Sequence, residues 1–219
     1  MSVRLIGQYD SPFVRRVAIV LHHYGVPFER QVLSVFTDFD ALLEVNPLGK
    51  VPALVLDSGE HLFDSRMIID YLTRQVPVAD RLVPETDADR FKVMQAEAVA
   101  LGLAEKAYER GIEYARRQPD KVDEVWSARL ARQIASALDW LDAREPAPWL
   151  CGDSLSLADI SCATAFTFLR EKQQIALSRG QYPALDAHCD RCEALPAFRS
   201  AAYSAAEAHA SGWRLPGSR

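Results

Sequence analysis

The stretch that decides the fold is "NPLGKVPALVLDSGEHLFDS", residues 46–65. Two β-type runs, "VPALVLD" and "HLFD", flank the turn residues "DSG". Two short runs joined in this way are typical of a β-hairpin. The stretch therefore predicts two antiparallel strands, with Pro52 at the start of the first and Asp64 and Ser65 at the end of the second.

Pro52 stands where a strand begins, yet proline has no N–H to donate to a sheet. A strand-leading proline in the trans form is the simpler interpretation, because cis X-Pro bonds are the rarer form. A cis Val51–Pro52 bond would instead turn the backbone of Val51 outward and leave its N–H and C=O for an extended ligand. The residues around the hairpin are needed to choose between the trans and the cis form.

Asp64 and Ser65 precede the helical pattern "SRMIIDYLTRQV", residues 65–76. They lie in its N-cap region, where backbone N–H groups, a hydroxyl and the positive end of the helix dipole converge. Such a place suits a carboxylate ligand. Simple helix capping is the alternative, since Asp and Ser are common caps.

Upstream of the hairpin, strand and helix patterns alternate. "VRLIGQY" (3–9) and "FERQVLSV" (28–35) are β-type runs, and "PFVRRVAIVLHHY" (12–24) between them is helical. "FDALLEVNP" indicates a short irregular helix that Asn46–Pro47 breaks. The whole order is βαβαββα, which predicts an α/β domain over residues 1–77.

The rest of the sequence is almost entirely helical. A proline-marked linker at 78–87 leads to helical patterns at about 88–117, 121–144, 156–172, 183–195 and 196–210. These patterns predict an all-α helical bundle over residues 88–219.

Charge and hydropathy exclude some partners. The 219 residues carry a formal net charge of −5, so there is no basic field of the kind that binds nucleic acid or an anionic membrane. No apolar run reaches about 18 residues, and "MSVRLIGQYD" lacks the pattern of a secretory leader. We therefore expect a cytoplasmic protein with neither a nucleic-acid nor a membrane partner.

The four cysteines are expected to be reduced thiols: Cys151, Cys162, Cys189 and Cys192. "HCDRC" (188–192) lies inside a helical pattern, whereas a redox Cys-x-x-Cys needs its first sulfur at a helix N-terminus. Zinc would require two further ligands at matching spacing. No metal site is predicted.

Ser11 and Pro12 begin the first helical pattern, in "YDSPFVRRVAIVLHHYG", residues 9–25. Ser is a preferred N-cap and Pro is preferred in the first turn, so the pair builds a helix start. A helix N-terminus also stabilises a thiolate. Capping and a functional role are therefore compatible here.

These stretches together resemble the cytosolic glutathione transferase family. "SPFVRRVAIVL", "NPLGKVPAL", "FDS" and "WLCGDSLSLADI" (149–160) match the family pattern in order and spacing, and the resemblance covers nearly the whole chain. It implies a thioredoxin-like α/β domain before the helical bundle, and a cis Pro52. It also makes Ser156 and Asp159 a capping box that starts a buried helix.

The resemblance implies a glutathione transferase with a role in detoxification, in which glutathione is a cosubstrate and no resident cofactor is needed. The backbone of Val51, beside Pro52, would pair with the cysteinyl part of glutathione. Ser65 would take the γ-glutamyl carboxylate and Asp64 its ammonium, where many members have Glu or Gln in place of Asp. Lys50 could approach the glycyl carboxylate or remain a solvated loop charge.

Alignment with the serine-type members puts Ser11 on their catalytic serine, so Ser11 is expected to donate its proton to the glutathione sulfur. Lowering a thiol pKa by about two units requires roughly 2.7 kcal/mol, which a charge-assisted hydrogen bond and a helix dipole can supply. Tyr9 is the rival donor, by analogy with tyrosine-type members, although packing or a pocket wall is its simpler role. Residues 9–25 contain no cysteine, which argues against the glutaredoxin-like members of the family.

The electrophilic second substrate is expected between the domains. Phe13 would contact glutathione and face this substrate, and Tyr9, Tyr108 and Ile112 would line the rest of its pocket. A homodimer is expected from the family alone.

Two other functions stay open at this point. One is a non-catalytic glutathione-binding or regulatory protein of the same fold. The other is a glutathione-dependent isomerase or lyase that uses the same thiolate as a covalent catalyst. Arg15 and Arg16 are most simply the solvent side of the first helix or part of an interdomain ion pair, with a substrate carboxylate as the alternative partner.

Overall fold

The computed structural model describes residues 3–172 and 177–210, the last two of them by backbone alone. Expectations that concern residues 1–2, 173–176 and 211–219 lie outside the described residues. The described elements, in chain order, are β1 Val3–Ile6, α1 Pro12–His23, β2 Phe28–Gln31, α2 Phe39–Leu43, β3 Ala53–Val55, β4 His61–Phe63, α3 Ser65–Thr73, α4 Asp87–Arg116, α5 Glu124–Asp142, α6 Leu157–Glu171, α7 Pro183–Glu193, α8 Pro196–Ser200 and α9 Ala205–Ala210. Short 3₁₀ turns lie at Val78–Asp80 and Pro119–Lys121.

The described chain divides into two compact units. The α/β unit joins residues 3–82 to residues 194–210, and the helical unit contains residues 83–172 and 177–193. The mixed sheet with its helices, followed by a helical region, confirms the predicted fold class.

The sheet of the α/β unit has the strand order β2-β1-β3-β4. β1 and β2 are parallel, and the other two pairings are antiparallel. Ile6 at the end of β1 pairs with Ala53 at the start of β3, and Ala53 pairs with Phe63 at the end of β4. The register therefore brings the end of β1, the start of β3 and the end of β4 to one edge of the sheet.

The predicted hairpin is present, but the strands are shorter than the sequence patterns. β1 ends at Ile6 because Gly7 has a φ of +133°, which L residues rarely adopt. β2 ends at Gln31, and beyond it the Ser34 N–H is taken by the Asp38 carboxylate at 2.9 Å in a loop contact. Turn chemistry, rather than apolar patterning, ends both strands.

In the helical unit, α6 is the buried helix. All of its residues from Leu157 to Leu169 are buried. Ser156 and Asp159 form the predicted capping box at its start. Two-sided burial explains why its sequence shows a nearly continuous apolar and small-residue run.

The last described segment packs within the α/β unit. Phe198 of α8 is fully buried, and the Arg15 guanidinium lies 5.8 Å from the centroid of its ring. This arrangement differs from the predicted helical domain of residues 88–219, because the chain returns to α1 after residue 193. The single helical pattern predicted over residues 196–210 is divided into α8 and α9 in the structure. Helical periodicity also carries no information on which sheet or bundle a helix covers.

None of the helices described between residues 3 and 210 combines the length and the apolar character needed to span a membrane.

Candidate functional site

Three segments with predicted site residues meet at the sheet edge set by the strand register. The turn that carries Ser11 follows β1, the Val51–Pro52 pair precedes β3, and Asp64–Ser65 follows β4. Residues far apart in sequence are therefore placed at the same end of the α/β unit. The candidate site lies at this edge.

Ser11 is the N-cap of α1, with φ −78° and ψ 124°. Its Oγ accepts a hydrogen bond from the Val14 N–H at 3.4 Å, near the upper limit for such bonds. The side chain is half-buried, and the first turn of α1 contains no acidic residue. Because the hydroxyl acts as an acceptor toward the helix, its own proton remains available for an outside acceptor.

Gly7 brings the first turn of α1 close to the loop before β3. A Cβ on Gly7 would stand 2.5 Å from Val14 Cγ2 and 3.0 Å from Val51 Cβ. Only glycine allows both side chains to approach so closely, and its positive φ adds the same requirement. The Val51–Pro52 peptide bond itself is cis.

Asn46 holds the loop that carries Lys50 and Val51. Its side-chain amide donates to the Lys50 carbonyl at 2.8 Å and accepts from the Leu48 N–H at 3.0 Å. Asn46 is 3% exposed, whereas Lys50 is exposed to solvent. The sequence pattern indicated only that Asn46 helps to break a helix. An Asn beside a turn was the signal for this role, since Asn side chains commonly bond the backbone of turns.

Asp64 adopts a backbone conformation that is unusual for a residue with a side chain. Its φ of 67° and ψ of 132° lie outside the common regions, at a cost of about 1–3 kcal/mol. Its Oδ1 accepts from the Arg66 N–H at 2.8 Å, so Asp64 caps α3 as predicted. Residues in such conformations cluster at ligand sites, and Asp64 is exposed while Ser65 beside it is buried.

Arg16 is fully buried and reaches the start of α3. Its Nη1 donates to the Ser65 hydroxyl oxygen at 3.0 Å. Arg15 is 1% exposed, and its Nε donates to the Ala201 carbonyl at 2.7 Å. The expectation that these arginines form the solvent side of α1 is therefore wrong. It failed because α1 has neighbours on more sides than an amphipathic pattern implies: α3 lies against one face and α8 against another.

Tyr9 is buried, with 6% exposure, and Arg30 lies 3.8 Å from the centroid of its ring. Burial raises the pKa of the Tyr9 hydroxyl, although Arg30 opposes this shift. The backbone N–H of Tyr9 donates to a Glu207 carboxylate oxygen at 2.6 Å, and Glu207 also pairs with Arg30. Packing accounts for Tyr9 without a proton-donating role.

The remaining predicted contacts lie in different places. Phe13 is half-buried in the first turn of α1. Tyr108 is 38% exposed and Ile112 is half-buried, and both belong to α4 of the helical unit. The role of Tyr9, Tyr108 and Ile112 toward a second substrate stays a prediction.

The helical unit contains a buried cluster of thiols and one histidine. Burial raises the pKa of Cys162, Cys189 and Cys192, which makes them poor nucleophiles. His188 Nε2 lies 3.6 Å from Cys192 Sγ and 3.5 Å from Asp159 Oδ1. This environment agrees with the interpretation of structural thiols. Across the described ranges, no three His, Cys, Asp or Glu side chains are grouped so as to hold a metal ion.

Comparison with known families adds two matches. Residues 5–80 match the model of the glutathione S-transferase N-terminal domain, and residues 124–191 match that of the C-terminal domain. The first match contains every residue of the candidate site at the sheet edge.

Two curated relatives span most of the chain. The GST-like protein YibF of Escherichia coli K12 is 32% identical over 170 residues, which is 76% of this chain and 82% of YibF. A Vibrio cholerae protein named "Probable maleylacetoacetate isomerase" is 29% identical over 214 residues, or 92% of this chain and 96% of that protein.

Solved structures give the same result. A glutathione S-transferase from Methylobacterium radiotolerans in complex with glutathione sulfonate has a TM-score of 0.85 and 27% identity, and covers 92% of this chain and 94% of its own. One from Methylobacillus flagellatus with glutathione bound has a TM-score of 0.84 and 28% identity, and the match covers 92% of this chain and 100% of that one. Since the two domain models together match more than half of the 219 residues, and YibF is 32% identical over 82% of its length, the chain belongs to the glutathione S-transferase family.

Proposed function

We propose that this protein is a glutathione transferase in which Ser11 stabilises the glutathione thiolate for attack on an electrophile. The observation that carries the proposal is the strand register, which brings Ser11, Val51 and Ser65 to one edge of the sheet. An extended tripeptide can then present its thiol to Ser11 while its γ-glutamyl end is held at α3.

Each end of glutathione has residues of suitable chemistry. Ser65 and the N–H groups of the first turn of α3 are donors for the γ-glutamyl carboxylate. The exposed Asp64 carboxylate is the partner for the ammonium group, even while it caps α3. The backbone of Val51 pairs with the cysteinyl residue. The flexible Lys50 ammonium reaches toward the glycyl carboxylate, and Phe13 lies at the side of the sulfur.

The Ser11 hydroxyl lowers the thiol pKa by donating its proton to the sulfur. It already accepts from Val14 N–H, and its proton is left to donate to the thiolate. A charge-assisted hydrogen bond contributes about 1.5–3 kcal/mol, and the dipole of α1 about 0.3–1 kcal/mol. A shift of about two pKa units needs roughly 2.7 kcal/mol, so the two effects together are sufficient.

The finer parts of the proposal rest on the family. Glutathione is consumed as a cosubstrate and is not a resident cofactor. The electrophile would contact Tyr9, Tyr108 and Ile112, and the protein would act in the cytoplasm as a homodimer. Burial leaves little of the Tyr9 ring for such a contact, so Tyr108 is the stronger member of this set.

The test is a titration of the bound thiol. The thiolate absorbs in the far ultraviolet, so difference spectra of the protein–glutathione complex against pH give its pKa. For the wild type we expect a value about two units below that of free glutathione. For Ser11→Ala we expect a value within about half a unit of free glutathione, with glutathione still bound.

Ser58→Ala is the matched control, because Ser58 is an exposed hairpin serine whose side chain donates to Glu60 at 2.8 Å, a contact two residues away. It should leave the thiol pKa unchanged. Ser11 would have no role in stabilising the thiolate if the pKa of the bound thiol were unshifted in the wild type. The same conclusion would follow if Ser11→Ala showed the wild-type pKa shift. Failure of the wild type to bind glutathione would remove the proposal as a whole.

A glutathione-dependent isomerase is the second candidate, because a relative named as an isomerase spans 92% of this chain and 96% of its own. The same thiolate would add to a conjugated cis double bond, allow rotation about the resulting single bond, and leave again with the electron pair. Maleylacetoacetate and a panel of halogenated aromatic electrophiles separate the candidates. Isomerisation without consumption of glutathione favours the isomerase, and net loss of glutathione thiol favours the transferase. Glutathione binding without either activity favours a purely binding role.

A further inference from the structure

We propose that Arg16 is a positioning residue that fixes the Ser65 hydroxyl as a hydrogen-bond donor and so makes this end of the site specific for a carboxylate. The inference rests on the proposed function, because it concerns the γ-glutamyl end of the bound glutathione. It assigns a role to one of the two adjacent arginines of α1.

The direction of the hydrogen bond determines the chemistry of Ser65. A guanidinium can only donate, so Ser65 Oγ must be the acceptor in its 3.0 Å contact with Arg16 Nη1. Among the described residues, the Ser65 hydroxyl has no acceptor for its own proton. The hydroxyl therefore offers a donor to a ligand, and its oxygen is polarised by a charged neighbour.

The charge of Arg16 adds a second preference for an anion. Arg16 has 0% exposure and Ser65 has 3%, so water screens the guanidinium poorly. Arginine stays protonated at every physiological pH. Ser65 is also the first residue of α3, where the helix dipole favours negative charge. A neutral amide at this position could accept one hydrogen bond but would gain little from the charge.

Arg15 is a second buried arginine on α1, and the contacts described for it are different. Arg15 donates to the Ala201 carbonyl and lies over the Phe198 ring, so its contacts fasten α8 to α1. The two arginines are neighbours in sequence and almost equally buried. Arg16 donates to a predicted ligand-binding side chain, whereas the hydrogen bond described for Arg15 goes to a backbone carbonyl. Arg15 is therefore the matched control.

Two ligands that differ by one carboxylate provide the test. Isothermal titration would compare glutathione with γ-aminobutyryl-cysteinylglycine, which keeps the amino group, the thiol and the glycyl end but lacks the γ-glutamyl α-carboxylate. We expect the wild type to prefer glutathione by at least about tenfold, and Arg16→Gln to reduce that preference to about threefold or less. Arg15→Gln should keep the wild-type preference, even where its Tm falls.

Arg16→Lys covers the case in which Arg16→Gln does not fold. Lysine keeps the buried charge but lacks the planar fork, so we expect a preference between the roughly tenfold one expected for wild type and the roughly threefold one expected for Arg16→Gln. Equal losses for both ligands in the Arg16 variants, with an unchanged preference, would make Arg16 merely structural and overturn the inference. Failure of the wild type to bind glutathione is a different result, and it would count against the proposed function.

Discussion

Ser11 and Ser156 are both N-cap serines, but their hydroxyls are in different situations. Ser156 is 5% exposed, and its N–H and Oγ both donate to the Asp159 carboxylate, at 2.7 Å and 2.6 Å. Asp159 also accepts from the Leu150 N–H at 2.8 Å. Ser11 is half-buried and has a long contact of 3.4 Å to Val14 N–H.

The difference shows how to separate a structural cap from a functional one. A hydroxyl that both accepts and donates within the fold has no proton left to donate to a ligand. The Ser156 hydroxyl is in that state, whereas the Ser11 hydroxyl serves its helix only as an acceptor. The two serines should therefore respond in opposite ways when stability and chemistry are measured separately.

The largest expected effect is on stability, at the α6 cap. Asp159→Ala would leave the Leu150 and Ser156 N–H groups buried without an acceptor, so we expect a loss of about 3 kcal/mol or more in the free energy of unfolding. Urea unfolding measures this. Asp89→Ala is the control, because Thr86 and Asp89 form a similar contact at 3.0 Å with an Asp89 side chain that is 52% exposed. Its loss should change the free energy of unfolding far less, because solvent screens that exposed contact, and equal losses for the two variants would contradict the comparison.

The next effect compares the two serines directly. We expect Ser156→Ala to lower the free energy of unfolding by about 2 kcal/mol, and Ser11→Ala by about 0.5 kcal/mol, since the Ser11 contact is long and partly exposed. Glutathione-dependent activity should show the reverse order, with the large loss in Ser11→Ala. If Ser11→Ala were the more destabilised variant and kept its activity, Ser11 would be only a cap.

The α6 cap should also respond to pH, through His188. Burial lowers the pKa of His188 more than the Asp159 carboxylate raises it, and Arg191 lowers it further. The unfolded chain therefore takes up this proton near pH 6.5 while the folded chain does not. The contribution of His188 to the free energy of unfolding should be constant above that pH and fall below it, by at most about 1.4 kcal/mol per pH unit.

His188→Asn should reduce this slope, which urea unfolding at pH 7.0, 6.0 and 5.5 would show. His22 and His23 also have pKa values lowered by burial, so the slope is compared between variant and wild type rather than taken alone. Identical slopes would show that His188 does not titrate between the two states.

The smallest expected effect is that of Tyr9→Phe. The ring stays over Arg30 and only the hydroxyl is lost, so we expect about 0.5 kcal/mol in stability and less than about a twofold change in glutathione turnover. Steady-state kinetics with a chromogenic electrophile measures the second quantity. A large fall in kcat would instead indicate that Tyr9, and not Ser11, donates the hydrogen bond to the sulfur.

Local signals in the sequence were enough to predict much of the fold. The turn residues between β3 and β4 predicted the hairpin, and the capping residues Ser11, Asp64 and Ser156 marked three helix starts. Each of these signals acts over a few residues, through turn geometry or the satisfaction of backbone N–H groups.

The parts that sequence reasoning missed depend on contacts between distant residues. Arg15 donates a hydrogen bond to a carbonyl 186 residues away, and Arg16 donates one to a hydroxyl 49 residues away. A charged residue on a helix is normally assigned to solvent, and no local pattern reports what covers it. Asn46 was missed for a different reason, because its buried amide bonds to a loop whose course the sequence does not reveal.

The contact between Glu207 and the loop after β1 has a consequence for biosynthesis. The backbone N–H of Tyr9 and the side chain of Gln8 both find their partners at Glu207, 198 and 199 residues later in the chain. Synthesis runs from the N-terminus, so the turn that leads to Ser11 emerges early and waits for nearly the whole chain to be translated. A ribosome-bound fragment that contains the complete four-stranded sheet would still lack the residue that fastens this turn.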